Sequence, residues 1–276
     1  MGADLDRFQP GGGKGIVWED RYTKDPEGGW IWGNHTEASP QQLQAMQEMV
    51  RDNKHCFAYS MAELTGHSQP VNIGQFRGQP AYVRPRQYSP VEEGIVDKHC
   101  CELRDANLIR RVSLTNLFAA RPTIAAKKDA ETGEWTATRF CVNYIRQNKG
   151  TDTIPHALPL PESIFRRFGK ARFFSKVDMR SGFHQLALDE ESQLRTAFWW
   201  GNELWSYTRL PFGLKNSSAV YQRVMDTVLT EAGLTGFATA FVDDVIVWSD
   251  TAEQHVERVQ QVLQALAQQG LKAHPD

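Results

Sequence analysis

Two adjacent carboxylates, Asp243 and Asp244, lie between two stretches that have the composition of β-strands. Residues 237–242 and 245–248 are rich in β-branched and aromatic side chains, which predicts a β-hairpin with both acids at or near its tight turn. A hairpin tip can present two carboxylates to one point in space. An ordinary turn remains the alternative, because aspartate is common in turns, where its side chain bonds the local backbone.

A third acid, Asp178, ends another predicted strand, residues 171–178. The period of two places Asp178 on the same strand face as Phe174 and Lys176. A predicted helix over residues 217–231 would cover the sheet that contains both this strand and the hairpin. Three converging carboxylates need cations to neutralise them, and Mg²⁺ suits them because it takes hard oxygen ligands and bridges carboxylates to phosphates. Two such ions would support in-line phosphoryl transfer.

The charge distribution is uneven, although the whole chain has a formal net charge of only -2. Between Arg104 and Arg180 there are 15 lysines and arginines against 7 acidic residues, a net charge of +8. Some of these cations lie on a predicted hairpin formed by residues 123–128 and 135–144. Such a basic stretch is typical of proteins that bind phosphates, while a solvated surface balanced by acidic loops elsewhere is the alternative.

Capping signals and apolar periodicity predict the helices that frame these strands. Ser39 and Ser89 each precede a proline and have Gln or Glu three residues later, so each should begin a helix with a capping box. On the second of these helices, Val91, Ile95 and Leu103 should form the buried face. Further helices are predicted at residues 161–168, 217–231 and 250–270, and a further hairpin is predicted around residues 201–202.

Several functional classes are disfavoured by the sequence. No run approaches the roughly 18 apolar residues of a membrane span, and the N-terminus lacks the apolar core of a signal peptide. We therefore expect an intracellular protein that is located in the cytoplasm and has no membrane partners. The four cysteines lack zinc-site spacing and should be reduced thiols. Residues 11–15, GGGKG, lack the spacing of a phosphate-binding loop, and a flexible loop is favoured there.

Three segments taken together resemble the polymerase motifs of reverse transcriptases from gypsy-type LTR retrotransposons. They are, in this order, residues 174–185 (FSKVDMRSGFHQ), 210–222 (LPFGLKNSSAVYQ) and 241–244 (FVDD). The resemblance implies an α+β fold, the fingers and palm of a right-hand polymerase, with an antiparallel palm sheet backed by helices and truncated before the thumb. Residues 81–276 would form the fingers and palm, and residues 1–80 an irregular N-terminal extension or linker with one helix.

The resemblance also implies roles for the acids. Asp178 would be the first metal-binding acid, shared by two ions and assisted by the carbonyl of Met179. Asp243 would be the second metal-binding acid, and Asp244 would be required nearby but would bind more weakly. The implied cofactor is a pair of Mg²⁺ ions, for which Mn²⁺ could substitute.

A nucleotide site is implied in the same way. Arg139, together with Lys127 or Lys128, would hold the incoming triphosphate from the fingers. Phe183 would lie under the sugar as a steric gate against the ribose 2′-OH, and Phe212 would line the nucleotide pocket. Phe183 stands where the family more often has tyrosine, which removes a hydroxyl but keeps the ring.

The implied function is RNA-directed DNA polymerisation, in which deoxynucleoside triphosphates extend a primer on an RNA or DNA template. Asn143 and Ser218 depart from the family's usual Asp and Pro, but they lie outside the implied metal ligands. A catalytically inactive retroelement remnant that at most binds nucleic acid remains the alternative.

Overall fold

The computed structural model of the chain describes residues 39–128, 135–156 and 158–275, together with the backbone of two short strands at 22–24 and 31–33. Side chains are described throughout these ranges except in the two short strands and at 125–128 and 135–139. The loop predicted at residues 11–15 lies outside the described residues.

The described chain contains both helices and strands. The strands are β1 (Tyr22–Lys24), β2 (Ile31–Gly33), β3 (His67–Val71), β4 (Ile109–Val112), β5 (Arg121–Lys128), β6 (Trp135–Asn143), β7 (Phe173–Asp178), β8 (Leu186–Leu188), β9 (Phe198–Trp200), β10 (Glu203–Tyr207), β11 (Ala238–Phe241) and β12 (Asp244–Ser249). The helices are α1 (Pro40–Asp52), α2 (Pro90–Asp105), α3 (Ile145–Gly150), α4 (Pro161–Phe168), α5 (Glu190–Arg195), α6 (Ser217–Glu231) and α7 (Ala252–Gln268). No helix in the described part of the chain combines the length and the apolar character needed to cross a membrane.

The central sheet contains β11, β12 and β7 in that order, with both pairs antiparallel. Helices α6 and α7 cover one of its faces and bury the apolar stripes that the sequence predicts. Val177 and Val245 are paired across β7 and β12, and both are buried. Since side chains alternate along a strand, the next pair, Asp178 and Asp244, lies on the opposite face of the sheet.

A second sheet and a long hairpin accompany the central sheet, and two strands of the second sheet, β9 and β10, fall between β7 and β11 in sequence. The second sheet has the order β4, β10, β9, and the predicted hairpin around residues 201–202 joins its last two strands. Strands β5 and β6 form the other predicted hairpin. Helix α2 packs against strands of both units, so it ties the basic hairpin to the second sheet.

The two predicted capping boxes are confirmed. The Ser39 hydroxyl accepts the Gln42 N–H while the Gln42 side chain accepts the Ser39 N–H, and α2 begins with the same exchange. The buried face predicted for α2 was partly wrong, because Val91 is 74% exposed. The face in the core is formed by Val96, Cys100 and Leu103.

The segment from Ser39 to residue 80 belongs to the same hydrophobic core as the rest of the described chain. Helix α1 packs on α7, and β3 pairs in parallel with β8, a pairing that the sequence did not reveal. The boundary proposed at residue 80 stays a prediction, but Phe57 and Ile73, both N-terminal to it, are buried in that core.

The segment that follows α7 runs between two other parts of the chain. Ala273 forms bridges with Phe57 on one side and with Met179 on the other. The buried Gln185 side chain accepts the Lys272 N–H and donates to the Lys272 and Arg180 carbonyls. These hydrogen bonds fix the end of β7, and therefore Asp178, against the segment that follows the last helix.

Candidate active site

The hairpin with a tight turn predicted from the acids is confirmed, and the turn lies one residue earlier than the predicted strands imply. Phe241 pairs with Asp244, so Val242 and Asp243 form a two-residue loop and Asp244 begins β12. Val242 has a φ of 52°, in the left-handed region that is rare for a β-branched residue. Such a conformation costs about 1–3 kcal/mol and is characteristic of functional sites.

Two of the three acids face each other across the central sheet. The Cα atoms of Asp178 and Asp244 are partners in the antiparallel β7–β12 pair. Lys176 lies two residues before Asp178 on the same strand face, and its Nζ is 2.9 Å from Asp244 Oδ1. The hydrogen bond to Asp244 raises the pKa of Lys176. One of the carboxylates is therefore already paired with a cation.

Asp243 has a different environment from its neighbour in sequence. Its carboxylate is half-buried, and Oδ1 has no hydrogen-bond partner among the described residues. Burial, followed by the charges of Asp178 and Asp244, raises the pKa of Asp243. The Met179 N–H donates to the Asp243 carbonyl over 3.0 Å, which holds the turn against the end of β7. The backbone thus places a carboxylate with an unpartnered oxygen beside Asp178.

Gly182 leaves room for this carboxylate. A Cβ atom on Gly182 would lie 2.6 Å from Asp243 Oδ1 and 2.7 Å from the Tyr221 hydroxyl oxygen, so only glycine allows both oxygens their positions. The Tyr221 side chain is fully buried, and its hydroxyl also lacks a hydrogen-bond partner in the described part of the chain. Burial, followed by the charges of Asp243 and Asp178, raises the pKa of Tyr221.

The acids suit a divalent cation in their chemistry. The donors are carboxylate oxygens, the ligand type that Mg²⁺ prefers, and an unpartnered buried oxygen with a raised pKa gains most from a nearby positive charge. Among the described residues, no three His, Cys, Asp or Glu side chains are already gathered around one point. The Asp244 carboxylate is instead bonded to Lys176. The three acids are therefore neighbours at one end of the sheet, but they do not form a complete set of metal ligands.

The two aromatic residues predicted at the nucleotide site lie together. Phe183 is 6% exposed and Phe212 is 51% exposed, and their ring centroids are 4.8 Å apart. Phe183 also contacts the ring of Tyr221 at 5.3 Å. Phe183 lies in the 3₁₀ turn at residues 182–185, directly after Gly182, and this turn joins the aromatic pair to the acids.

The cationic residues predicted at the nucleotide site lie on the β5–β6 hairpin. Lys127 is opposite Ala137, and Arg139 is opposite Ala125. Lys128 follows an irregularity in the register of the hairpin. The side chains of these three cations lie outside the described residues, so their contact with a triphosphate stays a prediction.

Sequence reasoning missed the polar residues that support the acids from α6. Gln222 is fully buried and bonds the backbone just before the turn, at Ala240, and at the first residue of the turn, Val242. A signal was present: a glutamine and a tyrosine occupy the face of α6 that covers the central sheet, where an apolar side chain is expected. A polar residue on such a face needs a partner, and the nearest backbone is the hairpin.

The class of the protein follows from this fold and from comparison with known families. Residues 135–276, half of the chain, match the family described as "Reverse transcriptase (RNA-dependent DNA polymerase)". The chain belongs to this family. The predicted fold class is confirmed, an α+β chain in which an antiparallel sheet is backed by helices.

Individual relatives are polyproteins of a virus and of a transposon. The chain is 39% identical over 137 residues to Polyprotein P3 of Commelina yellow mottle virus, covering 50% of this chain and 7% of that protein. It is 36% identical over 130 residues to the Retrovirus-related Pol polyprotein from transposon gypsy of Drosophila melanogaster, covering 46% of this chain and 12% of that protein. The resemblance to gypsy-type reverse transcriptases is thus confirmed, and the chain spans only a small part of these relatives.

A solved structure has the same fold. The foamy viral protease-reverse transcriptase in complex with an RNA/DNA hybrid matches with a TM-score of 0.75 and 18% sequence identity. The match covers 87% of this chain and 31% of that chain. At this level of identity the likeness concerns the fold.

Proposed function

We propose that the chain catalyses RNA-directed DNA synthesis, adding deoxynucleotides to the 3′-OH of a primer annealed to an RNA or DNA template. The observation that carries this proposal is the half-buried Asp243 carboxylate, whose Oδ1 is unpartnered and whose turn is bonded to the end of β7 beside Asp178. Such an arrangement is costly unless a cation completes it. Family membership makes nucleotidyl transfer the reaction for which this site is suited.

The acids would hold the metal ions. Asp178 and Asp243 would be ligands to two Mg²⁺ ions, or to Mn²⁺ in their place, and Asp244 would bind more weakly because Lys176 already occupies one of its oxygens. When bound, the ions supply charge that stabilises the attacking and leaving oxygens of the phosphoryl transfer. The Met179 carbonyl is a further candidate ligand. Met179 is bridged to Ala273, but the two hydrogen bonds of this bridge are made by the Asp178 carbonyl and the Arg180 N–H, so they do not use the Met179 carbonyl.

The remaining residues would position the nucleotide. Arg139, with Lys127 or Lys128, would hold the triphosphate, because guanidinium and ammonium groups bond phosphate oxygens. Phe183 would lie under the deoxyribose and exclude a 2′-OH, and the exposed Phe212 ring would extend the same apolar surface. The sugar would thus be selected by packing, and the phosphates by charge.

The template and primer would lie along the basic part of the chain. Residues 104–180 carry the net charge of +8, which favours binding to phosphates through counterion release. The foamy viral protein, which has the same fold, was solved in complex with an RNA/DNA hybrid. We also propose that the reaction takes place inside the cell, in the cytoplasm, where deoxynucleoside triphosphates are available.

Primer extension tests this proposal. The wild-type chain is incubated with a labelled DNA primer on an RNA template, Mg²⁺ and deoxynucleoside triphosphates, and is compared with Asp243→Asn and Asp250→Asn. Asp250 is an exposed acid just after β12, so its variant controls for loss of charge alone. We expect extension by the wild-type and Asp250→Asn proteins and none by Asp243→Asn. Wild-type extension no greater than that of Asp243→Asn would contradict the proposal.

A further inference from the structure

The strained turn of the acid-bearing hairpin is held by one buried side chain of α6. The Val242 N–H donates to Gln222 Oε1 over 2.8 Å, and Gln222 Nε2 donates to the Ala240 carbonyl over 2.9 Å. The Gln222 side chain is fully buried. It therefore bonds the backbone just before the turn and at the turn's first residue, the one with positive φ.

A second side chain of the helix sets the orientation of this amide. Gln222 Nε2 also donates to Asp226 Oδ1 over 2.9 Å, four residues further along α6. If the amide were flipped, its oxygen would face both the Asp226 carboxylate and the Ala240 carbonyl, and its NH₂ group would face the Val242 N–H. All three contacts would become repulsive, so only the observed orientation offers an acceptor to Val242.

This hydrogen-bonded chain continues to the surface. His156 Nε2 lies 3.1 Å from Asp226 Oδ2, so both carboxylate oxygens of Asp226 have partners. The Asp226 side chain is half-exposed, and His156 belongs to the segment between α3 and α4. The buried amide is thus anchored by a carboxylate that is itself held from the other side.

The two ends of the turn are bonded to different elements. Gln222 of α6 accepts the Val242 N–H, and Met179, at the end of β7, donates its N–H to the Asp243 carbonyl. Because the backbone of both turn residues, Val242 and Asp243, is hydrogen-bonded, the turn is held in a single position relative to Asp178. If Gln222 released Val242, the strain at its φ of 52° could relax, and the Asp243 carboxylate would move with the backbone.

We propose that Gln222 is a positioning residue that holds the Val242–Asp243 turn in its strained conformation, and that Asp226 orients the Gln222 amide for this task. The inference rests on the proposed function in one respect: the geometry it maintains is that of the proposed metal ligand Asp243. Gln222 is buried, and its hydrogen bonds go to the hairpin backbone and to Asp226, so its role would be to position the turn.

The test compares Gln222→Met, which keeps length and apolar volume but removes the hydrogen bonds, with Arg223→Met at the adjacent exposed position of α6. Three properties are measured: amide hydrogen exchange of Val242 by NMR, Mn²⁺ affinity by electron paramagnetic resonance, and the kcat and nucleotide KM of primer extension. For Gln222→Met we expect about tenfold faster Val242 exchange and about tenfold weaker Mn²⁺ binding, the effect of losing a buried hydrogen bond. We also expect kcat to fall while the nucleotide KM is unchanged.

Asp226 provides a second pair of variants that does not disturb the core. Asp226→Leu removes the acceptor and should accelerate Val242 exchange by a smaller factor, while Asp226→Asn retains an acceptor oxygen and should restore wild-type behaviour. If Gln222→Met does not fold, this pair decides the question. Val242 exchange that is equal in Gln222→Met and Arg223→Met, or equal in Asp226→Leu and Asp226→Asn, would overturn the proposal.

The exchange measurement also separates this inference from the proposed function. A wild-type chain that binds no Mn²⁺ and extends no primer would contradict the polymerase assignment. Faster Val242 exchange in Gln222→Met would still support the positioning role in that case, because it reports on the turn alone.

Discussion

Asp178 and Asp244 are direct partners across the antiparallel β7–β12 pair, and Lys176 on the same face of β7 bonds the second of them. Like charges directly opposite each other in a sheet are destabilising. Lys176 reduces this repulsion, while Asp243 in the adjoining turn has a carboxylate oxygen without a protein partner. The protein has thus paired one of the three acids with a cation of its own, while an oxygen of Asp243 has no partner among the described residues.

Gly182→Ala should disrupt the site without unfolding the chain. The new Cβ would meet Asp243 Oδ1 and the Tyr221 hydroxyl at less than 3 Å, so the carboxylate must move. We expect a loss of about tenfold or more in Mn²⁺ affinity. Gly94→Ala is the control, because nothing lies within 4 Å of its Cβ and alanine should stabilise α2 by about 0.5–1 kcal/mol. Equal Mn²⁺ affinity in the two variants would contradict the role assigned to Gly182.

Lys176→Met should strengthen Mn²⁺ binding. The substitution removes the cation that pairs with Asp244 and leaves a third free carboxylate beside Asp178. Because the Lys176 side chain is 60% exposed, the pair is screened by solvent and the gain in affinity should be only a few-fold. Lys176→Arg retains the charge and should bind Mn²⁺ like the wild-type protein. Weaker binding by Lys176→Met would show that the lysine assists the site instead.

His184 should make the stability of the fold depend on pH. Its burial lowers the pKa to about 4 from the usual 6.5, so the unfolded chain takes up a proton first as the pH falls. The free energy of unfolding is therefore unaffected by His184 above pH 6.5 and decreases progressively toward pH 4, by about 3 kcal/mol in total. Urea unfolding across this range should show a smaller loss for His184→Phe than for the wild-type protein. An equal loss in both would refute this assignment.

Phe183→Val should weaken the preference for deoxynucleotides. The buried ring supports the surface on which we place the sugar, and a smaller side chain would leave space for a 2′-OH. We expect the ratio of kcat/KM for deoxynucleotide over ribonucleotide to fall about tenfold or more. Phe183→Tyr keeps the ring and should retain the preference. A ratio that is unchanged in Phe183→Val would remove Phe183 from the sugar site.

Local signals in the sequence predicted the elements of the site well. The capping boxes at Ser39 and Ser89 define two helix starts to the residue, and the periodicity of residues 217–231 matches the bounds of α6. The acids on the hairpin were found because two carboxylates interrupt a strand pattern. Each of these signals lies within a few residues of the feature that it predicts.

Features that depend on distant contacts were not predictable in this way. The parallel β3–β8 pair joins segments more than a hundred residues apart, and Leu186–Leu188 alone is too short to indicate a strand. The positive φ of Val242 contradicts the preference of valine and is stabilised by Gln222 from another element. On α2, Val96 and Cys100 displace Val91 from the core because tertiary packing selects the face.

Mn²⁺ titration of the wild-type chain, monitored by electron paramagnetic resonance, tests most directly whether Asp178 and Asp243 form a metal site. Asp178→Asn and Asp243→Asn are compared with Asp250→Asn, the exposed acid just after β12. Loss of a direct ligand should cost at least the roughly 10- to 100-fold that is typical of outer-sphere partners, while Asp250→Asn should bind like the wild-type protein. Equal Mn²⁺ affinity in all four proteins would contradict the site.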